Sequence, residues 1–302
     1  MQQGSKPLAL SALFTGTLVW GLIWYPYRVL ENAGLGGVAA SVATYGVALA
    51  MGILAFPAHW RALRPTPVLI LIALSVGACN IAYVLAMLHG PVMRVLLLFY
   101  LAPLWTVALS RLILGERLNR IGALVMLLSL GGAVVMLWRE SGLPRPETGA
   151  EWLGLASGFL FALGNVLSRR ASQVPEEARS LAMFLGVVAM GLLALPGESL
   201  PLPATLGGME LALILILGLV LLAGNVAAQY GFSHIPANRA AVILLLEPLV
   251  AAFAAWFLVG EAMGAREWLG GSLIAGASLL SGRLEEGAGE ETVATKPREA
   301  PG

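Results

Sequence analysis

The chain alternates long apolar runs with short polar punctuation. A helix needs about 20 apolar residues to cross the hydrocarbon core of a bilayer. Ten runs come near that length: about 8–30, 38–57, 67–88, 92–113, 118–138, 151–173, 179–196, 209–232, 236–259 and 266–284. Most connections are brief and carry Gly, Pro or charge, as at Ala33-Gly34, Arg64-Pro65, Gly90-Pro91, Gly115-Glu116 and Pro196-Gly197. The longest internal link, Arg139 to Ala150, is polar and holds Pro144 and Pro146, which marks it as a seam. The pattern predicts an all-α integral membrane protein with ten transmembrane helices. Its segments are an N-terminus (1–7), a first five-helix repeat (8–138), a linker (139–150), a second five-helix repeat (151–284) and a disordered C-terminal tail (285–302). The polar start, Met1 to Pro7, is short and the first apolar run lacks a small-residue cleavage site, so that run is read as a span.

Composition agrees and narrows the partners. The sequence is 58% hydrophobic and 12% charged, against about 25% charged in soluble domains. So apolar a chain cannot cover itself with polar groups, and much of its surface must face lipid. A net charge of +1 gives no reason to expect nucleic acid. The single cysteine, Cys79, excludes an internal disulfide and a cysteine-based metal centre, and no cofactor or metal is expected. With the N-terminus inside, 13 basic residues fall on the cytoplasmic side (Lys6, Arg61, Arg64, Arg111, Arg117, Arg120, Arg169, Arg170, Arg179, Arg239, Arg283, Lys296, Arg298). Five fall outside: Arg28, Arg94, Arg139, Arg145 and Arg266. The positive-inside rule then predicts both termini in the cytoplasm.

A self-match at an offset of 145 residues is the most informative pattern. Cys79–Glu116 aligns without gaps on Gly224–Glu261, with identities at Asn80/Asn225, Ala82/Ala227, His89/His234, Pro91/Pro236, Arg94/Arg239, Leu101/Leu246, Pro103/Pro248, Leu104/Leu249, Gly115/Gly260 and Glu116/Glu261. Each half carries an odd number of spans, so the second copy enters the bilayer upside down. Inverted repeats around a central site are a transporter device, because two similar walls can open to either side in turn.

Several intramembrane side chains are candidates for chemistry. Glu247 lies mid-span, where an acid is expensive and defaults to a functional hypothesis; it reads as a proton or amine site, or as a carboxyl bonded to neighbouring helices. Its repeat partner is Ala102. Pro103 and Pro248 predict helix kinks in equivalent spans, each removing one backbone bond. Trp20, Trp24, Tyr83, Phe99 and Tyr100 lie deep, and Phe161 lies in the sixth span; they line either a cavity or a packing face. Tyr25, Tyr27, Tyr230 and Phe232 suit an interfacial belt. Asn80, Asn165, Asn225 and Gln229 are amides that can bind a polar cargo or bridge helices. The shared His-x-Pro-x-x-Arg at His89 and His234 reads as span-end structure, and Glu116 and Glu261 as helix caps. No HExxH, GxSxG or Walker pattern occurs, so an enzyme is not expected. A receptor or a lipid enzyme has less to rest on than a carrier.

The run from Leu101-Ala102-Pro103-Leu104 to Gly115-Glu116, and its copy from Leu246-Glu247-Pro248-Leu249 to Gly260-Glu261, resemble the EamA-type branch of the drug/metabolite transporter superfamily. The resemblance covers about residues 8–284. Within it, and with Phe99-Tyr100-Leu101-Ala102-Pro103 in view, the chain is similar to the YddG-type amino acid exporters. The resemblance implies spans 1, 3, 4, 6, 8 and 9 around a central cavity, spans 5 and 10 at the periphery, and export through an inner membrane. It implies an amino acid cargo, aromatic or large and neutral, and substrate-binding roles for Trp20, Tyr83, Phe99, Tyr100, Phe161, Asn165, Asn225 and Gln229. Cationic drugs or other small metabolites of the same superfamily are the alternative cargo. A monomer in the lipid bilayer is the expected state.

Overall fold

A computed structural model describes residues 5–58, 64–115, 120–138, 145–171, 173–197, 206–234, 246–261, 263–266, 268–277 and 279–280. The tail 285–302 and residues 139–144 of the linker lie outside the described residues. Everything regular among the described residues is helical: α1 (Ser5–Leu22), α2 (Trp24–Asn32), α3 (Gly37–Ala55), α4 (Pro67–His89), α5 (Val92–Phe99), α6 (Ala102–Leu109), α7 (Arg120–Leu137), α8 (Gly149–Arg170), α9 (Glu176–Ala194), α10 (Gly208–His234), α11 (Leu246–Val259) and α12 (Trp268–Ala277). Seven stretches are long and apolar enough to cross a membrane: Leu8–Asn32, Gly37–Ala55, Pro67–His89, Val92–Leu114, Gly149–Arg170, Glu177–Ala194 and Gly208–Ala227. The remaining three predicted spans contain α7, α11 and α12.

Two of these stretches are broken helices, and the sequence says why. Pro26 sits in the first turn of α2 and offers no N–H to the Leu22 carbonyl, where α1 stops. Pro103 likewise deprives the Phe99 carbonyl, and the chain turns at Tyr100-Leu101 between α5 and α6. After α6 a wide π turn, Ser110–Leu114, runs into Gly115 at φ 72°. Its repeat mate Gly260 holds φ 71°, a left-handed conformation that ends α11 in the same way.

The packing joins the two parts of the chain on either side of the linker. The helix α4 lies against α8 and α9, while α10 lies against α1 and α3; α5 and α6 pack on α8, while α11 packs on α1. The pairs α3–α9 and α5–α11 also meet. Exchanging α1, α3, α4 and α6 for α8, α9, α10 and α11, which lie at the repeat offset, turns the contacts named here among these helices into one another. Small residues make the closest approach: a Cβ on Gly186 would fall on the Ala73 backbone, and one on Gly77 would fall on the Gly186 carbonyl. The α4 and α9 backbones therefore touch, as small residues allow between membrane helices. Large apolar side chains face outward instead of filling a larger core, among them Leu54 at 81%, Phe257 at 72% and Leu127 at 68% exposure. Such a surface is stable against lipid and not against water.

Tyr27 departs from its expected interfacial position. It is buried, and its hydroxyl lies 2.8 Å from Thr44 Oγ1. The cause is local: α2 packs on α3 after the break at Ile23, and Thr44 supplies the partner a buried phenol needs.

Candidate functional site

The turn that interrupts the fourth span builds the centre of the site. It leaves Phe99 and Tyr100 at the end of a helix, and Gly158 on α8 lets that helix close on the turn, since a Cβ there would stand 2.5 Å from the Phe99 carbonyl. Phe99 is the hub of an aromatic cluster. Its ring centroid lies 5.1 Å from Tyr83, 5.8 Å from Tyr100 and 5.2 Å from Phe161, in edge-on or tilted contacts, the geometry that aromatic quadrupoles favour. Glu247 enters from the first turn of α11. Its carboxyl is within hydrogen-bonding reach of the Tyr100 hydroxyl and close to Tyr83. Gly21 on α1 makes room for the Glu247 backbone: a Cβ there would be 3.0 Å from its carbonyl oxygen.

Beside this cluster, and sharing Tyr83 with it, is a small cavity of about 30 Å³ lined by Trp20, Trp24, Tyr27, Tyr45 and Asn80 with Val84 and Met87. A water-sized group fits. Its walls carry two buried polar atoms without a hydrogen-bond partner, Trp24 Nε1 and Asn80 Oδ1. The Asn80 side chain lies near the Tyr45 hydroxyl.

On one side a packed layer closes the site. Trp24, Ala86, Met87, Val92, Met93, Leu96, Ala251, Ala254 and Ala255 form one buried cluster from α2, α4, α5 and α11. Polar ties fasten its rim. Both carboxylate oxygens of Glu261 accept from the start of α5, from Val92 N at 2.9 Å and Met93 N at 3.0 Å. Arg28 donates to the carbonyls of Met87 at 2.9 Å and Gly90 at 3.3 Å, and its guanidinium stands 5.2 Å from the centre of the Trp24 ring. Arg94 donates to Glu151 at 2.8 Å, joining α5 to α8. Beyond the layer lies a polar cleft of about 480 Å³ with Tyr25, Arg28, Glu31, Asn32 and His89 in its walls, where His89 Nε2 is 3.6 Å from Glu31.

The sequence-derived candidates are thus partly gathered. Tyr83, Phe99, Tyr100, Phe161 and Glu247 meet, and Trp20 lines the adjoining cavity. Asn225 lies elsewhere, accepting from Ser180 Oγ at 3.0 Å between α10 and α9. Asn165 is exposed on α8. The side chains of Gln229 and Pro248 lie outside the described residues, as does Glu116. Trp24, one of the deep aromatics of the sequence, lines the small cavity, and so does Tyr45, which sequence reasoning left without a role. Nothing in the sequence distinguished Tyr45 in its apolar run. Cys79 is buried, its thiol 3.3 Å from the Ser157 carbonyl. Among the described residues no group of three or more His, Cys, Asp or Glu could hold a metal ion.

Comparison with known proteins gives a consistent set of relatives. The EamA-like transporter family matches residues 7–138 and 148–283. An uncharacterized transporter of Archaeoglobus fulgidus is 29% identical over 67% of this chain and 71% of its own. The pseudopaline exporter CntI of Pseudomonas aeruginosa is 27% identical over 68% of this chain and 72% of its own. The uncharacterized transporter YojE of Bacillus subtilis is 22% identical over 81% and 83%. A crystal structure with a TM-score of 0.62 and 20% identity covers 95% of this chain and 100% of that one, which is a likeness of fold.

Proposed function

The chain belongs to the EamA-like transporter family, and from that premise we propose that it exports amino acids, aromatic or large and neutral, across the cytoplasmic membrane by alternating access. The observation that carries this reading is the aromatic cluster around Phe99 with the Glu247 carboxyl at its edge. Edge-on rings accept a flat apolar side chain, while the acid accepts an ammonium. The relative named as a pseudopaline exporter supports outward movement of a small solute.

Two inverted five-helix repeats, ten spans in all, are the architecture in which this would work. In their favour are the family match over two stretches, 7–138 and 148–283, and the set of helix contacts that survives exchange of the halves. In this arrangement the layer with Trp24 and Ala251 faces outward, so the conformation is closed on the outer side. Both termini are cytoplasmic, and the protein works as a monomer in the inner membrane.

The test is flux. Purified protein in sealed liposomes is expected to move labelled phenylalanine, tryptophan or leucine. Movement of other metabolites with no amino acid carried across a full panel sinks the reading. Glu247 favours a second cargo class, cationic drugs, since a carboxyl among aromatic rings also suits a bare cation. Transport of a lipophilic cation faster than any amino acid is the result that would select it.

A further inference from the structure

The cavity beside the aromatic cluster has a polarity that the apolar lining hides. Trp24 lines this cavity and is 2% exposed, and its buried indole N–H finds no acceptor. Asn80 Oδ1, on the facing helix α4, finds no donor. Buried polar atoms are almost always paired, because leaving one unpaired costs the desolvation it has already suffered. Two complementary orphans on residues that line one small cavity, a donor that cannot accept and an acceptor that cannot donate, are what a ligand with both functions would satisfy once the wall gives access to them.

Charge gives the ligand a direction. Arg28 stands over the Trp24 ring at 5.2 Å, so the indole end is the positive end. Glu247 supplies the negative charge, close to Tyr83, which also lines the cavity, and beside Tyr100. We propose that Trp24 and Asn80 are specificity-determining residues that read a zwitterionic head group: the Trp24 N–H binds the carboxylate of an α-amino acid, and Asn80 Oδ1 binds its ammonium between Tyr83 and Glu247. The side chain then extends into the cluster around Phe99. This rests on the amino acid reading above and specifies which atoms perform it.

The cavity as it stands takes a water-sized group, so the head group enters when the wall moves. Trp24 is the residue that ties the two events. It begins α2 immediately after the Ile23 break, and it also packs in the closing layer with Ala251, Ala254 and Ala255. A carboxylate that draws on the indole therefore acts on a residue of the seal.

Three cargoes that share one ring test the assignment: phenylalanine, phenethylamine, which lacks the carboxylate, and 3-phenylpropionate, which lacks the ammonium. Competition is measured against labelled phenylalanine in proteoliposomes. Trp24→Phe is expected to weaken phenylalanine and 3-phenylpropionate roughly ten-fold, the worth of one good hydrogen bond to a charged group, and to leave phenethylamine as in the unaltered protein. Asn80→Leu is expected to weaken phenylalanine and phenethylamine and spare 3-phenylpropionate. If Asn80→Leu is not monodisperse after purification, Asn80→Ala carries the same expectation. Equal losses for all three compounds, or no loss for any, overturn the head-group assignment and leave the amino acid reading standing. Failure of the unaltered protein to move any amino acid overturns both.

Discussion

Glu247 is an acid in a setting of rings, beside the Tyr100 hydroxyl and close to Tyr83. The Glu247→Gln variant keeps shape and hydrogen bonding and removes the charge. Transport should fall about ten-fold, as loss of a charged hydrogen-bonding partner implies, and what remains should lose its dependence on a pH gradient. Unchanged flux with unchanged pH response assigns Glu247 to helix packing instead. Gly186 has a purely structural prediction. A side chain there must enter the Ala73 backbone, so Gly186→Val should lower the stability of the detergent-solubilised protein by about 1–3 kcal/mol, the usual penalty of overpacking. Thermal unfolding followed by gel filtration measures it. Glu247 could be singled out from sequence because a mid-span acid is rare. Trp24 and Asn80 were candidates that could not be told from their peers, since an indole N–H or an amide looks alike in every span until the coordinates show which one lacks a partner. Asn80 and Asn225 make the point: identical by repeat, one borders a cavity and the other bridges α10 to α9.

At the scale of elements, the proline breaks are the devices that matter. Pro103 was a readable kink signal, and the turn it makes brings Phe99 against Tyr83 and Phe161. Pro26 sends the same signal four residues after Leu22, and it sets Trp24 at a helix start. What sequence could not give is the partner of each helix end. The spacing Thr148-x-x-Glu151 is a capping box pattern, and Thr148 Oγ1 does accept from Glu151 N at 3.2 Å. The Glu151 carboxylate, however, turns to Arg94 at 2.8 Å and Glu147 N at 2.8 Å. It is 2% exposed. Arg94→Ala should therefore destabilise the protein by roughly 3 kcal/mol, because a buried carboxylate loses its counter-ion. Replacing Glu151 by Gln in the same chain should recover part of the loss. A double variant no more stable than Arg94→Ala would argue against the pair.

The whole molecule is held together across its linker more than within either half. Both α3 and α4 pack on α9, α4 packs on α8, and α1 packs on α10 and α11. A fragment ending at residue 138 lacks the principal neighbours of α1 and α4. Expressed alone, the stretches 1–138 and 139–302 should each be degraded or aggregate. Co-expressed, they should co-purify and restore transport, and a stable, monodisperse 1–138 fragment would contradict this packing. The repeat was legible from ten identities, but the interleaving was not. A repeat of this kind is by itself compatible with two separate five-helix bundles; spans of both halves around one cavity entered only through the family resemblance, and the close approach of Gly77 and Gly186 is visible only in the structure.

The clamp of Glu261 on the start of α5 has a consequence in time. Its two ends are separated by 169 residues in the chain. At about 5–20 residues per second, synthesis of that interval lasts on the order of ten to thirty seconds. Throughout it the N–H groups of Val92 and Met93 lack their carboxylate, while the fourth to ninth predicted spans are still being made. The newly made protein is thus open at this end until almost the last helix arrives, and it closes only when its synthesis is nearly complete.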